Sequence, residues 1–400
     1  MVPGKVFLKD LKEKELKNKR IVLRVDFNVD ILNQKVVDDF RIKKTLKTID
    51  YLLEKGVQRI VILSHLGQPK EEEKWKKEFS LYPVFLYLKE IYKERIFFFE
   101  EKEIERINEI NYPENSLVLV ENIRFFKGEE ENDDNFSKKL SLLGEIYIND
   151  AFSASHRESA SLSGIAKYLP SYLGLLFEEE IFYLNKIKES PQSPLVVVLG
   201  GAKIKDKLPL IEKFLTRADY ILLGGGPANT VLKAWGFEIG KSLFEKEMIE
   251  KAKNLGSQKA ELILPGDFWV KDSSNRKVKR ELGKIKKSDN ILDIGPIATS
   301  YYQKILKKAK TILFNGPLGK VEEGFLEGTK GVFEVFFENS QAFSVVGGGD
   351  TLKCLKLLNL EEKITKKENI FLSTGGGAML KYLADEKLPA LEIILNQKNV

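Results

Sequence analysis

At 400 residues, and with roughly 150 residues per domain, the chain is expected to hold two domains, each long enough to bury its own core. Its 65 Lys+Arg against 59 Asp+Glu give a net charge of +6, with 43% hydrophobic and 31% charged residues. That composition excludes a wholly disordered chain, and the charge is too dilute for a dedicated nucleic-acid binder. No segment reaches the roughly 18 consecutive apolar residues of a membrane helix, and the charged opening has no apolar signal core. The single cysteine, Cys354, forbids an intrachain disulfide, so a cytoplasmic location is expected, with Cys354 as a small buried hydrophobe.

Short unbroken runs of Val, Ile, Leu and Phe recur along the chain, each ending in polar or glycine-rich residues. In the first half they are 21-IVLRVDFNV, 59-RIVILSHLG, 116-SLVLVENIRF and 145-EIYINDAFSASHR. In the second half they are 195-LVVVLGGAK, 220-YILLGGGPA, 261-ELILPGD, 311-TILFNGPLG, 342-AFSVVGGGD and 370-IFLSTGGGA. Runs of this kind are expected of strands buried on both faces. Amphipathic stretches such as Arg41–Lys55 and Thr329–Asn339 lie between them, so the alternation predicts two α/β domains with mainly parallel sheets. The segment between Pro170 and Pro191 reads as a connecting helix, with Leu173, Leu176, Phe177, Ile181, Leu184 and Ile187 at helical spacing and Glu180 the polar exception. The expected division is therefore 1–172, the helix 173–190, and 191–391.

Ligands of parallel α/β sheets bind beyond the carboxyl ends of the strands, so the residues terminating each run carry the chemistry. In the first half these are Arg24, Asp26 and Asn28 of RVDFN, His65 of SHLG, Arg124 of ENIRF, and His156 with Arg157 of DAFSASHR. Arg41 joins them from DDFRIKK. One arginine or histidine at a strand end is ordinarily a satisfied surface group. Several at one sheet edge suit a phosphate or carboxylate, because arginine presents planar bidentate donors. The two histidines lack the spacing of a metal motif.

Of the 29 glycines, seven precede Pro191. The others concentrate in GGAKIKDK (200–207), GGGP (224–227), FNGPLG (314–319), GGGDT (347–351) and STGGGA (373–378). Glycine after a strand lets the backbone approach an anion, and the following helix offers free N–H groups, so five such loops point to a nucleotide or polyphosphate. Asp350 is a hard oxygen ligand suited to Mg²⁺, or an ordinary helix cap, and the Thr351 hydroxyl is placed to reach a phosphate oxygen. Lys203 and Lys207, four apart, are expected on one face of an opening helical turn. No GxxxxGK[ST] or HRD…DFG set occurs, which excludes P-loop and protein-kinase plans, and the lack of a dinucleotide GxGxxG weighs against a dehydrogenase.

RVDFNV, DDFRIK, SHLG, ENIRF, DAFSASHR, GGAKIKDK, LGGGPA, LDIGP, FNGPLG, GGGDT and STGGGA occur in the order and approximate spacing of the phosphoglycerate kinase family. The resemblance runs from about Lys5 to Leu391. It implies two Rossmann-like domains joined by a long helix, with substrates in the cleft between them and residues 392–400 returning to the first domain. The implied reaction is Mg²⁺-dependent phosphoryl transfer from 1,3-bisphosphoglycerate to ADP, giving 3-phosphoglycerate and ATP, the glycolytic step. It assigns Arg24, Asp26, Asn28, Arg41, His65, Arg124, His156 and Arg157 to the glycerate. It assigns Gly201, Lys203, Lys207, Gly225, Asn315, Glu322, Gly347, Gly348, Gly349, Asp350 and Thr351 to the nucleotide, with Asp350 on the metal. Arg41, Lys203 and Gly348 are the expected catalytic positions. Partners are then small molecules only, with no nucleic acid, no membrane and a monomeric enzyme. A different acyl-phosphate-forming carboxylate kinase on the same scaffold stands as the alternative.

The chain also departs from that pattern. Gln68 stands where the family has Arg, Asp30 where it has Pro, Lys320 and Val321 alter GVFE, Phe314 replaces a common Trp, and the ADEKLPALE end lacks a glycine after its proline.

Overall fold

The structure, a computed structural model, describes residues 6–70 and 77–397. The chain forms two compact units, residues 1–181 with 387–400 and residues 182–386. In the first lie β1 (Arg20–Arg24), a short hairpin of β2 (Ile31–Leu32) and β3 (Lys35–Val36), β4 (Arg59–Leu63), β5 (Ile96–Phe99), β6 (Ser116–Val120), β7 (Ile146–Asn149) and β8 (Ser171–Leu173). Apart from the hairpin these make one parallel sheet in the order β5-β6-β4-β1-β7-β8. The second unit carries β9 (Leu195–Leu199), β10 (Tyr220–Leu223), β11 (Glu261–Ile263), β12 (Asp267–Lys271), β13 (Lys277–Glu281), β14 (Asn290–Ile294), β15 (Thr311–Asn315), β16 (Phe343–Gly347) and β17 (Ile370–Ser373). Its main sheet, again parallel, has the order β11-β10-β9-β15-β16-β17.

All ten runs read from the sequence are strands, and β4, β6, β7, β9 and β15 are buried at every position, as two covered faces require. The stretches expected as helices fold as Phe40–Glu54 and Glu327–Glu338. Five main strands were not expected. β5 and β8 are short edge strands, and β12, β13 and β14 form a separate antiparallel sheet. The central β12 pairs on both sides, whereas β13 is only half-covered, so its Lys-Val-Lys-Arg-Glu sequence shows none of the apolar continuity of a parallel core strand.

The expected connector needs correction at its start. Ser171–Leu173 pairs with β7, and the helix spans Leu175–Lys188. Asp150, at the end of β7, sets that start: its Oδ1 accepts the N–H groups of Leu176 at 2.9 Å and Phe177 at 3.2 Å, two of the orphan donors of a helix N-terminus. The division between the units falls inside this helix, after Ile181 rather than at 172. The returning segment begins at Lys387 rather than 392. Ala390 N–H donates to the Ser155 carbonyl at 3.2 Å, and the Gln397 side chain bonds the Leu169 carbonyl at 3.0 Å. The Ala390 side chain, where a glycine was the norm, is fully buried against Ala151, Ala154 and Leu162. Residues 398–400 of the expected return lie outside the described residues.

Each parallel sheet reverses its winding direction beside its first strand, between β1 and β7 and between β9 and β15. Loops leaving the sheet at these two points diverge, which opens the crevices where α/β sheets bind ligands. Among the described residues, no helix is long and apolar enough to cross a membrane.

Candidate active site

The first crevice is built from the loops after β1, β4, β6 and β7. Arg24, the last residue of β1, is 2% exposed. Its Nε donates to Ser161 Oγ at 2.8 Å, one terminal nitrogen reaches the Val25 carbonyl, and the other lies 3.2 Å from His65 Nδ1. Two residues on, Asp26 accepts from Asn28 N–H at 2.9 Å and from the Ser153 hydroxyl of the β7 loop. Arg41, from the first turn of the helix Phe40–Glu54, lies 3.4 Å from Asp26 Oδ2 and donates to the Asn28 carbonyl at 2.7 Å. Asn28 Oδ1 accepts Gly67 N–H at 2.9 Å, while Arg124 donates to the Gly67 carbonyl. These bonds form two groups, Arg24 with His65 and Asp26 with Asn28, Arg41 and, through Gly67, Arg124. The charges of Asp26, Arg24, Arg124 and Arg41 all act on His65, so the six make one electrostatic array.

Electrostatics fix the charge states in this array. Burial alone would raise the Asp26 carboxyl, but Arg41 and the bonds from Ser153 and Asn28 hold it at about 2, so it is ionised. Burial, reinforced by Arg24, Arg124 and Arg41, pushes His65 well below its ordinary value against the opposing pull of Asp26, so its imidazole is neutral. Arg124 is lowered to about 10 by burial and by Arg157, and stays cationic at neutral pH. Arg24, Arg124 and Arg157 line a small pocket of ≈ 90 Å³ together with Glu129, Glu130 and Ser159. Arg157 is itself exposed, whereas half-buried His156 has its Nδ1 at 3.0 Å from the Ser153 carbonyl within its own loop.

The second crevice is a pocket of ≈ 350 Å³ in the other unit. Gly201, Ala202, Gly225, Gly226, Pro317, Leu318 and Gly319 form one wall, Phe268 and Asn290–Ile294 form another, and Lys320, Glu322 and Asp350 stand on its lining. The glycines serve the mutual approach of these loops. Gly201 N–H donates to the Pro317 carbonyl at 2.6 Å, and a Cβ on Gly200 would lie 2.1 Å from that same oxygen. Of the five glycine-rich loops, four contribute to the lining, and STGGGA does not. The wall from β12 and β14 escaped the sequence reading because their antiparallel sheet lacks the uniform apolar runs. LDIGP was the only signal there.

Three of the residues expected at the nucleotide serve as joints of the scaffold in this structure. Asn315 Nδ2 donates to the Gly347 carbonyl at 2.9 Å, and fully buried Thr351 accepts Gly316 N–H at 2.8 Å on its hydroxyl oxygen. These bonds pin the β15 loop to the β16 loop and leave the Thr351 side chain no exposed surface for a phosphate. Gly347 is the buried end of β16. The exposed part of the loop is Gly349 and Asp350, which open the helix Gly349–Leu357. Gly348, the residue before it, has φ +105°, and a Cβ there would lie 2.8 Å from Asn315 Nδ2.

The lysine expectation also changes. The helix after β9 spans Leu208–Leu215, so Lys203 and Lys207 precede it rather than sharing its first turn. Lys203 is exposed, whereas Lys207 is buried with Nζ 3.4 Å from the Lys203 carbonyl. Glu245 accepts Lys205 N–H at 2.9 Å and also Ile204 N–H, which holds this loop in place. Burial lowers the Lys207 ammonium, with Asp206, Asp350 and Glu245 opposing.

No group of three or more His, Cys, Asp or Glu able to hold a metal occurs among the described residues. Asp350, exposed on the pocket lining as Glu322 also is, has the donor chemistry for a Mg²⁺ ion, which commonly takes only one or two carboxylates beside phosphate oxygens and waters.

Comparison with known proteins places the whole chain in one family. The sequence model of the family described as phosphoglycerate kinase matches residues 9–386. The phosphoglycerate kinase of Dictyoglomus turgidum is 39% identical over 398 residues, covering 96% of this chain and 98% of that protein. That of Coprothermobacter proteolyticus is 41% identical over 395 residues, with 96% and 98% covered. Among solved structures, phosphoglycerate kinase from Coxiella burnetii superposes with a TM-score of 0.80 at 35% identity, covering 98% of this chain and 99% of that one. The Pyrococcus horikoshii enzyme gives 0.82 at 32% identity, with 97% and 98% covered. With one unit built around an array of arginines and the other around a glycine-walled pocket, and with relatives matched over nearly their whole length, the chain belongs to the phosphoglycerate kinase family.

Proposed function

We infer that this chain catalyses reversible transfer of a phosphoryl group between 1,3-bisphosphoglycerate and ADP, giving 3-phosphoglycerate and ATP. The observation that carries the reading is the pairing of two unlike crevices at equivalent points of two parallel sheets. One is rich in guanidinium groups, the other walled by backbone and apolar side chains. The first is assigned to the glycerate, held by Arg24, Asp26, Asn28, Arg41, His65, Arg124 and Arg157, with His156 shaping the loop. The second is assigned to the nucleotide, with the base against Phe268, Ile291, Leu292 and Leu318 and the ribose towards Glu322.

The chemistry matches such equipment. A carboxylate acceptor is ionised at neutral pH, so the site needs no general base, and catalysis reduces to positioning and charge stabilisation. Arg41 and Lys203 supply cations for the phosphoryl oxygens in transit, and the backbone at Gly348 and Gly349 supplies N–H groups at the start of a helix. Asp350 would hold Mg²⁺, which when bound neutralises phosphate charge. Turnover requires the two ligands to meet in line with water excluded, because water would hydrolyse the acyl phosphate. We further read the chain as a cytoplasmic monomer, in keeping with the buried Cys354, whose thiol burial pushes up to about 12.

The test is a coupled assay with ATP, Mg²⁺ and 3-phosphoglycerate, alongside acetate and other small carboxylates. Turnover confined to 3-phosphoglycerate upholds the reading. Equal or better turnover of another carboxylate replaces it with that carboxylate's kinase.

A further inference from the structure

Behind the arginine array lies a buried carboxylate to which neither the sequence motifs nor the proposed reaction gives a role. Glu129 is 2% exposed and sits in the KGEEEND segment after β6. Its Oε1 accepts the hydroxyls of Ser159 at 2.8 Å and Ser161 at 2.6 Å, its Oε2 accepts Ser161 N–H at 2.9 Å, and its own carbonyl accepts Ala160 N–H at 3.0 Å. These bonds clamp the one-turn π-helix Ala160–Gly164 and its N-cap Ser159, a conformation frequent at functional sites. Tyr147, on β7, adds a hydroxyl bond to the Ser161 carbonyl at 2.8 Å.

The clamp has one exit towards the ligand site. The Ser161 hydroxyl donates its hydrogen bond to Glu129, so the lone pairs on Ser161 Oγ are left to accept from Arg24 Nε–H at 2.8 Å. Arg24 then faces His65 Nδ1 at 3.2 Å. A guanidinium has five donors and no acceptor, so this contact requires a lone pair on Nδ1. In a neutral imidazole the proton must then sit on Nε2.

We propose that Glu129, acting through Ser161 and Arg24, is a positioning residue that fixes His65 as the neutral tautomer with its proton on Nε2, a hydrogen-bond donor for an anionic ligand. The arrangement meets two physical requirements together. A buried guanidinium without a nearby carboxylate would be costly, and Glu129 provides that charge without occupying Arg24's terminal nitrogens. His65 sits among Arg24, Arg41 and Arg124, with Asp26 as the opposing charge, so a second proton on the ring would repel three cations. Nε2–H therefore donates without adding charge.

The inference concerns the histidine itself and rests on the glycerate reading only for its kinetic arm. The chain has two histidines, so ¹⁵N–¹H correlation of imidazole nitrogens in the full-length protein gives two ring systems, and His156→Gln assigns them. The parent at pH 7 is expected to show His65 with Nδ1 bare and Nε2 protonated. Ser161→Ala and Glu129→Gln should bring both nitrogens towards the averaged shifts of exchanging tautomers. They should also raise KM for 3-phosphoglycerate about tenfold, roughly one lost hydrogen bond, with kcat within about twofold. If Glu129→Gln fails to fold, Ser161→Ala, which removes one oxygen, carries the comparison. A parent spectrum with Nδ1–H or an imidazolium overturns the proposal, as do variants that keep the parent's shifts. The expected spectra in a protein inactive on 3-phosphoglycerate would uphold the tautomer and overturn only the assignment of function.

Discussion

The ammonium of Lys207 lies 3.4 Å from the carbonyl oxygen of Lys203, so the second lysine folds back beneath the loop that carries the first. The two cations differ in exposure as a result, Lys203 being exposed and Lys207 buried. An exposed cation at this loop is accessible to phosphoryl oxygens between carboxylate and ADP and can bind them best in the transition state. Lys203→Ala should therefore lower kcat by on the order of 10²–10³, the effect of removing one preorganised charge-stabilising group. Lys207→Ala should act through the loop and the nucleotide, raising KM for ATP more than it lowers kcat. Steady-state kinetics with calorimetric nucleotide affinities separates the two. A Lys203→Ala enzyme with near-parental kcat would sink the assignment.

The contrast between these lysines shows where sequence reasoning reaches its limit. The run LVVVL announced a buried strand because parallel strands covered on both faces leave no place for polar residues. Arg24, His65 and Arg124 were legible for the same reason, since the strand end fixes where the following side chain emerges. Spacing alone could not reveal that Lys203 and Lys207 precede the helix, because Glu245, 40 residues beyond Lys205, holds that loop in a turn. The contact of Thr351 is equally invisible to spacing. Its hydroxyl serves Gly316 N–H, a partner 35 residues distant. Glu129 gave no signal, because a glutamate within KGEEEND is indistinguishable from solvated neighbours until Ser159 and Ser161 fold over it.

Gln68 follows Gly67, whose N–H bonds Asn28 and whose carbonyl accepts from Arg124, and the Gln68 side chain is exposed beside them. Gln68→Arg should add a cation at the rim of the array without disturbing a buried group. A charge-assisted contact contributes about 1.5–3 kcal/mol, so 3-phosphoglycerate affinity should rise by at least about tenfold while nucleotide affinity stays constant. Titration calorimetry of the two ligands checks this. Unchanged glycerate affinity would mean that residue 68 points away from the ligand.

Asp350 is exposed on the nucleotide pocket in the first turn of the helix Gly349–Leu357, the position of either a metal ligand or a carboxylate facing the helix dipole. Asp350→Asn keeps the shape but loses the anion that Mg²⁺ prefers. The Mg²⁺ concentration giving half-maximal rate should rise several-fold, about 3–10-fold for a loss near 1 kcal/mol. The same variant should lose only the roughly 0.3–1 kcal/mol of a helix-dipole contact in stability. A parental Mg²⁺ requirement accompanied by lower stability would identify Asp350 as a helix cap alone.

Asp293, at 1% exposure on β14, supplies the last prediction. Its Oδ1 accepts Ile294 N–H and its Oδ2 accepts Gly328 N–H, each at 2.9 Å, tying β14 to the helix Glu327–Glu338. Burial nonetheless outweighs these two bonds and, with Glu327 nearby, pushes the carboxyl up to about 7 from an ordinary 3.8. A carboxyl whose folded pKa lies above its unfolded value favours the fold when protonated. That contribution is complete below pH 3.8 and is lost as the pH rises through 7. At 1.36 kcal/mol per unit, the loss between pH 5 and pH 7 is on the order of 2–3 kcal/mol. Asn cannot ionise, so Asp293→Asn should abolish that part of the slope. Its amide nitrogen would face one of the two N–H donors, which lowers stability by an offset independent of pH. Asp150, raised to about 6 by burial, contributes its own slope equally in parent and variant and cancels from the difference. Urea unfolding of both proteins at pH 5 and pH 7.5 should therefore show the variant's deficit shrinking as the pH rises. Two parallel stability curves across that range would mean that Asp293 is already ionised in the folded protein at pH 5.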